Sequence, residues 1–208
     1  TPAQSPAQSP DRTSKRTPAL PDADLNAMVA EAWRRLTRGA ADKRSAFNTT
    51  TVGTMGAQGW PEMRTVVLRQ ADPSQRRLVF HTDRRSTKAG EIEADGRLSL
   101  LFWDPRAKLQ LRVWGQARLL TEDPLVDDEW RRLAPGSRDI YRVPMTPGRL
   151  IDDPSVAEGT SDGDGRDVFA VVPVTVMRID WLHLRAENHR RARFDVGPDG
   201  WHGRWLAP

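Results

Sequence analysis

The chain of 208 residues has no cysteine, only four lysines, a single tyrosine and no long apolar run. Without thiols it can build no disulfide framework, no iron–sulfur ligation and no thiolate zinc site, and the absence fits a reducing compartment. No stretch approaches the roughly 18 apolar residues of a membrane-spanning helix. The N-terminal residues lack an apolar signal core, so the expected location is cytoplasmic, with no membrane partner. Lysine is so scarce that 28 of the 32 basic residues are arginine, set against 28 acids for a net charge of +4. Arginine keeps its proton at accessible pH, so a small cationic excess lifts the pI to about 10.1. The high pI is therefore no evidence for nucleic-acid binding, and with one tyrosine and scattered tryptophans there is no base-stacking ladder either.

What is present is an ordinary core-forming composition, 38% hydrophobic and 29% charged. Residues 1–20 repeat Pro-Ala-Gln-Ser and carry no large apolar residue before Leu20, so a disordered tail is expected there and one domain over 21–208. Leu25, Met28, Val29, Ala32, Trp33 and Leu36 follow helical spacing, with Asp22 or Asp24 as cap and Gly39 as stop. Strands are predicted at 45–54, 63–69, 77–82, 97–103, 108–119, 168–181, 191–196 and 201–206. In the fifth of these, Leu109, Leu111, Val113, Gly115, Ala117 and Leu119 share one face. Pro173 suggests an edge or a bulge in the sixth, and Gly197-Pro-Asp-Gly200 is a hairpin turn. Short helices are predicted at 86–94 and 123–134, and a long, partly ordered connection at 135–165. Many antiparallel strands with a few short helices give an α+β fold, mainly antiparallel β and barrel-like.

Phosphate-loop, dinucleotide-glycine, serine-elbow and metalloprotease patterns are absent. Asp162, Asp164 and Asp167 have the wrong spacing for a calcium loop, so no metal is expected. Three basic features remain. Arg84, Arg85 and Lys88 crowd the start of the helix predicted at Ser86, where cations are unfavourable unless an anion such as phosphate sits between them. Arg64 opens an apolar strand, where it can reach a phosphate or pair with an acid. Extended alternation would put His189, Arg191 and Arg193 on one positive face, either an anion site or a solvated edge.

These features, with Arg64-Thr-Val-Val-Leu-Arg69, Leu-Val-Phe-His-Thr82, Arg-Ser-Thr-Lys-Ala-Gly-Glu-Ile92, Arg-Leu-Ser-Leu-Leu-Phe102, Gln110-Leu-Arg-Val-Trp-Gly-Gln-Ala117 and the closing Leu-Ala-Pro208, resemble the pyridoxamine 5'-phosphate oxidase family. The resemblance implies a split β-barrel that binds flavin mononucleotide (FMN) at a homodimer interface. It implies that Arg64 and Lys88 hold the FMN phosphate, helped by Thr82 and Thr87. Thr65, Val66, Val67, Leu68, Arg69 and His81 would line the flavin, the valines and leucine through their backbone. Gln110 would bond the polar edge of the ring, and Trp181 and Arg193 would come from the C-terminal part. Arg69, His189 and Arg191 would contact a small anionic substrate. Hydride or electron transfer would be the cofactor's work, so no catalytic side chain is named. The chain departs from the family at the substrate half, where Arg69 stands at the lysine position, and Trp130 and Ala134 stand near the tyrosine and arginine positions. It thus resembles an oxidase-related branch more than the vitamin B6 enzyme. The alternatives are a flavin-binding or sensor module without turnover, and a split barrel using haem, through His81 or His183, or a deazaflavin.

Overall fold

The computed structural model describes residues 20–208. The expected tail lies outside the described residues except for Leu20, which packs against the main core. Eight antiparallel strands are joined in one sheet: β1 (Thr49–Met55), β2 (Pro61–Asp72), β3 (Arg77–Asp83), β4 (Arg97–Asp104), β5 (Leu109–Ala117), β6 (Phe169–His183), β7 (Arg190–Gly197) and β8 (Gly200–Leu206). The strand order is β3-β2-β1-β4-β5-β6-β7-β8, and a further β3–β6 pairing closes the first six into a barrel. The expected barrel-like α+β architecture is therefore present, with β7 and β8 extending the sheet beyond the closure.

The alternation in β5 is as anticipated: Leu109, Leu111, Val113, Gly115 and Ala117 point inward. They meet Val52, Leu68, Phe80, Leu100, Phe102 and Trp181 in the main core. Helix α1 (Leu25–Ala41) covers the barrel with Met28, Ala32, Trp33 and Leu36, and its cap is Asp24, whose carboxylate accepts from the Asn26 and Ala27 N–H groups. Gly39 does not end the helix as expected. It lies within it, and the close packing there excludes a side chain, since a Cβ would sit 2.7 Å from the Phe47 carbonyl oxygen. Residues 45–48 form a turn instead of the start of β1.

Pro173 marks no edge, since β6 pairs with β3, β5 and β7. The register irregularity against β5 falls between Trp114 and Gly115 instead. A second, smaller core lies outside the barrel wall, where α3 (Pro124–Arg132) and the following turns bring Val126, Trp130, Leu133 and Tyr141 onto Val79, Phe169 and Val171. Helix α2 (Thr87–Ala94) follows β3 directly, and a single-turn α4 (Pro135–Arg138) opens the long connection to β6. None of the described helices is long and apolar enough to cross a membrane.

Candidate cofactor and substrate site

The barrel wall parts between β2 and β3. β3 pairs with β2 only through Leu68–Asp72, so Pro61–Val67 is paired with β1 alone. At the same level, His81, Thr82 and Asp83 pair with β6 alone. One backbone edge of Thr65, Val66 and Val67 is therefore free of a strand partner and can bond a planar polar ring through N–H and C=O groups. Val66 and Leu68 turn their side chains into the core, so they can serve a ligand only through their backbone.

Arg64, Thr82 and Lys88 converge at one end of this gap. Arg64 reaches Thr54 Oγ1, and its Nη2 lies 2.8 Å from Glu91 Oε2. Lys88 Nζ donates to Thr82 Oγ1 at 3.0 Å and to Ser86 Oγ at 3.4 Å. Among the described residues no carboxylate pairs with Lys88; burial, followed by the neighbouring Arg64 guanidinium, holds its ammonium below the usual lysine range. Lys88 is the cation with no acid bonded to it, and Arg64, whose charge Glu91 offsets, stands beside it as a second donor; together they give an anion a positive seat. Ser86 stands at the cap position of α2, but its hydroxyl donates to the Asp83 carbonyl instead of capping the helix. Thr87, the first helical residue, is exposed, and a Cβ at Gly148 would come within 3.4 Å of its hydroxyl, so the long connection crosses the start of α2. Sequence reasoning missed Glu91. It lies three residues after Lys88 on the same helix, a spacing that puts both on one face.

On the outer side of the gap, Arg69 occupies the β-bulge in β2, where the register against β3 shifts between Leu68 and Gln70. Beneath it lies a polar network that sequence reasoning also missed. His81 Nε2 is 2.8 Å from Glu129 Oε2, Gln70 Nε2 donates to Glu129 Oε1 at 2.6 Å, and Arg132 Nη1 donates to the same oxygen at 2.9 Å. Burial would raise the Glu129 carboxyl, but the bonds from His81, Arg132 and Gln70 outweigh it and bring its pKa to about 2. Burial lowers the His81 imidazole despite Glu129, leaving it neutral at pH 7. Glu129 lies 48 residues from His81, and no local pattern in the sequence announces that contact.

The remaining candidates are not joined to the Arg64–Lys88 group. Gln110 lies on the outer face of β5, in register with Trp103 and Leu182. Trp181 is fully buried in the main core, its indole turned away from solvent. The positive face expected on β7 is partly offset, four arginines sharing the carboxylates of Asp180 and Asp195. Arg191 and Arg112 both bond Asp180, and Arg193 lies 3.0 Å from Asp195. His189 is not on the strand; it sits in the preceding turn, with Nδ1 accepting from the Arg185 N–H. Both histidines considered for haem contact carboxylates, His81 with Glu129 and His183 with Asp22. Among the described residues, no group of three or more histidine, aspartate or glutamate side chains could hold a metal ion.

Residues 30–121 match the family model described as pyridoxamine 5'-phosphate oxidase, FMN-binding domain. A pyridoxine/pyridoxamine 5'-phosphate oxidase from Microcystis aeruginosa is 30% identical over 195 residues, covering 87% of each chain. Among solved structures, a pyridoxamine 5'-phosphate oxidase-related, FMN-binding protein from Nostoc punctiforme superposes with a TM-score of 0.70 at 22% identity, covering 86% of this chain and 96% of its own. PhzG from Burkholderia lata, in complex with tetrahydrophenazine-1-carboxylic acid, gives 0.69 at 18% identity, covering 86% and 92%. At those identities the two structures speak for the fold, a split barrel, while the sequence relatives carry the kinship: the chain belongs to the pyridoxamine 5'-phosphate oxidase family.

Proposed function

We propose that the protein binds FMN and acts as an oxidoreductase on a small anionic substrate, as a cytoplasmic homodimer. The observation that carries this reading is the convergence of Arg64 and Lys88 at the gap between β2 and β3. Arg64, Lys88 and the hydroxyls of Thr82 and Thr87 would hold the phosphate of the cofactor, and the free backbone edge of Thr65–Val67 would hold its ring. Bound there, the flavin supplies the hydride or electron chemistry. The protein's share is orientation, exclusion of water and a cationic seat.

The dimer accounts for residues that one chain leaves apart. The outer face of β1, β2 and β4 exposes Met55, Met63, Leu101 and Trp103, with Met63 73% exposed. Thr51, Gly53 and Ser99 leave this face shallow where the strands are in register. A second copy against it would bury the apolar patch. It would also bring Gln110 and Arg193 towards the partner's flavin.

Purified protein should be yellow and show a flavin absorption band, and the double variant Arg64→Ala with Lys88→Ala should be colourless. A wild-type protein that is colourless and ignores added FMN overturns the proposal. The substrate positions at Trp130 and Ala134, which lack the family's polar groups, favour a flavin-binding module without turnover as a second reading. Rapid reduction of the bound flavin by any amine, pyridoxine phosphate or nicotinamide donor rejects that reading.

A further inference from the structure

We propose that Arg69 and Tyr141 form the anion end of the substrate site, that His81 positions Arg69, and that this end takes a carboxylate in preference to a phosphate monoester. The proposal rests on the flavin reading above and adds the chemical class of the substrate.

The charge count around the bulge selects the class. Arg85 is bound to Asp83 and to the Val143 carbonyl, Arg132 to Glu129, and Arg138 to the Trp130 carbonyl. Among the described residues Arg69 has no carboxylate partner, and its buried Nε–H bonds none of them. His81 and Tyr141 flank one ring, that of Phe169, with ring centroids 4.9 and 5.0 Å away, and the Arg69 charge acts on both. Arg84 is exposed and Lys88 is turned to the Thr82 and Ser86 hydroxyls, so at the bulge itself the half-buried Arg69 guanidinium is the one positive charge without an acid among the described residues. Two nearly buried acids, Asp83 and Glu129, stand close by with their own partners. A phosphate dianion would bring a second negative charge towards those carboxylates with no second free cation to meet it. A carboxylate matches a single guanidinium in both charge and fork geometry.

The side chains around Arg69 fit this use. Burial pushes the Tyr141 hydroxyl up to about 12, so it stays protonated and can donate to an anion. Its ring is fixed edge-on against Phe169 at 5.0 Å and against Trp130 at 6.0 Å, which leaves the hydroxyl little freedom to wander. His81 is neutral and gives its Nε2–H to Glu129, so its Nδ1 is a bare acceptor, buried and without a partner. The unpartnered Arg69 Nε–H is a donor on the neighbouring residue. Joined, the two would satisfy each other and leave both Nη groups of Arg69 for the ligand. A neutral tether orients the guanidinium without cancelling its charge, which an acid in the same place would do.

The test is calorimetric titration of the purified protein, with whatever flavin it carries, by benzoate and by phenyl phosphate. Benzoate should bind about tenfold more tightly than phenyl phosphate, and Arg69→Ala or Tyr141→Phe should weaken it, the arginine variant by about tenfold or more. His81→Phe should also weaken benzoate, and His81→Asn, which returns an acceptor near the Nδ1 position, should restore it. Phenyl phosphate binding as tightly as benzoate, no binding of benzoate, or benzoate affinity indifferent to Arg69→Ala overturns the carboxylate subsite. Equal benzoate affinity in wild type and His81→Phe overturns the positioning role. Heat of binding is read without the flavin band, so a colourless protein that still binds benzoate through Arg69 would refute the flavin reading and leave the subsite standing.

Discussion

Glu91 Oε2 accepts from Arg64 Nη2 at 2.8 Å and from Thr54 Oγ1 at 2.5 Å. The arginine that would receive a cofactor phosphate is thus already held by a carboxylate that is 4% exposed. Lys88, on the same helix as Glu91, bonds only hydroxyls. The two cations therefore stand in different accounts of stability although they share a site.

Removing Arg64 leaves a buried carboxylate without its cation, so Arg64→Ala should destabilise the fold by about 2–4 kcal/mol. Lys88→Ala relieves a cation that burial already disfavours and should cost little. Both should lose flavin. Thermal melts of the two variants, alongside their flavin content, check the separation. Equal destabilisation by both would contradict it.

Gly39 gives a second test, because two effects oppose each other there. Alanine at a mid-helix glycine would normally gain about 1 kcal/mol. Here the new methyl meets the backbone of Phe47 at 2.7–2.8 Å, and backbone cannot step aside as a flexible side chain can. Overpacking of this kind costs about 1–3 kcal/mol. Gly39→Ala should therefore lower the melting temperature, with the steric term outweighing the propensity gain.

The elements legible in the sequence are those with local cause. The inward face of β5 follows from strict alternation, α1 from helical spacing and Asp24 from cap chemistry. Lys88 was legible because cations at a helix start are locally unfavourable and demand a reason. What was not legible depends on contacts between distant segments. Gly39 reads as a stop until Phe47 is seen lying against it. Arg191 and Arg193 read as a positive face until the folded sheet brings Asp180 and Asp195 beside them. Glu129 meets His81 only because α3 packs against β6 on the outside of the barrel, beside β3, and nothing within either segment encodes that meeting.

The exposed apolar face makes a prediction about assembly. Leu101 is 40% exposed on β4, in register with Thr51 of β1 and Arg112 of β5. Its side chain points away from the core, so Leu101→Asp should leave the melting of a single chain within about 0.5 kcal/mol of wild type. In a dimer built on this face the new carboxylate would be buried against the partner. Sedimentation should then show the variant as a monomer where wild type is a dimer, with weaker flavin retention. A variant that sediments as wild type does would place the dimer contact elsewhere.

The Glu129 network fixes how stability responds to acid. Its folded pKa of about 2 lies below the ordinary glutamate value of 4.5, so the carboxylate contributes stability that is complete above pH 4.5 and is lost as pH falls towards 2. His81 is lowered from 6.5 because burial disfavours its cation. The unfolded chain therefore takes up a proton there first, and stability begins to fall as pH drops below 6.5. The two residues act in the same direction over adjoining windows. After allowance for partial solvent screening, the carboxylate step should be about 1–3 kcal/mol. Urea melts from pH 7 down to pH 3 should show a decline beginning near 6.5 and steepening below 4.5. Glu129→Gln, which cannot ionise, should be less stable at pH 7 and should flatten the lower part of that curve. An unchanged slope below pH 4.5 in the variant would mean that other carboxylates carry the acid sensitivity.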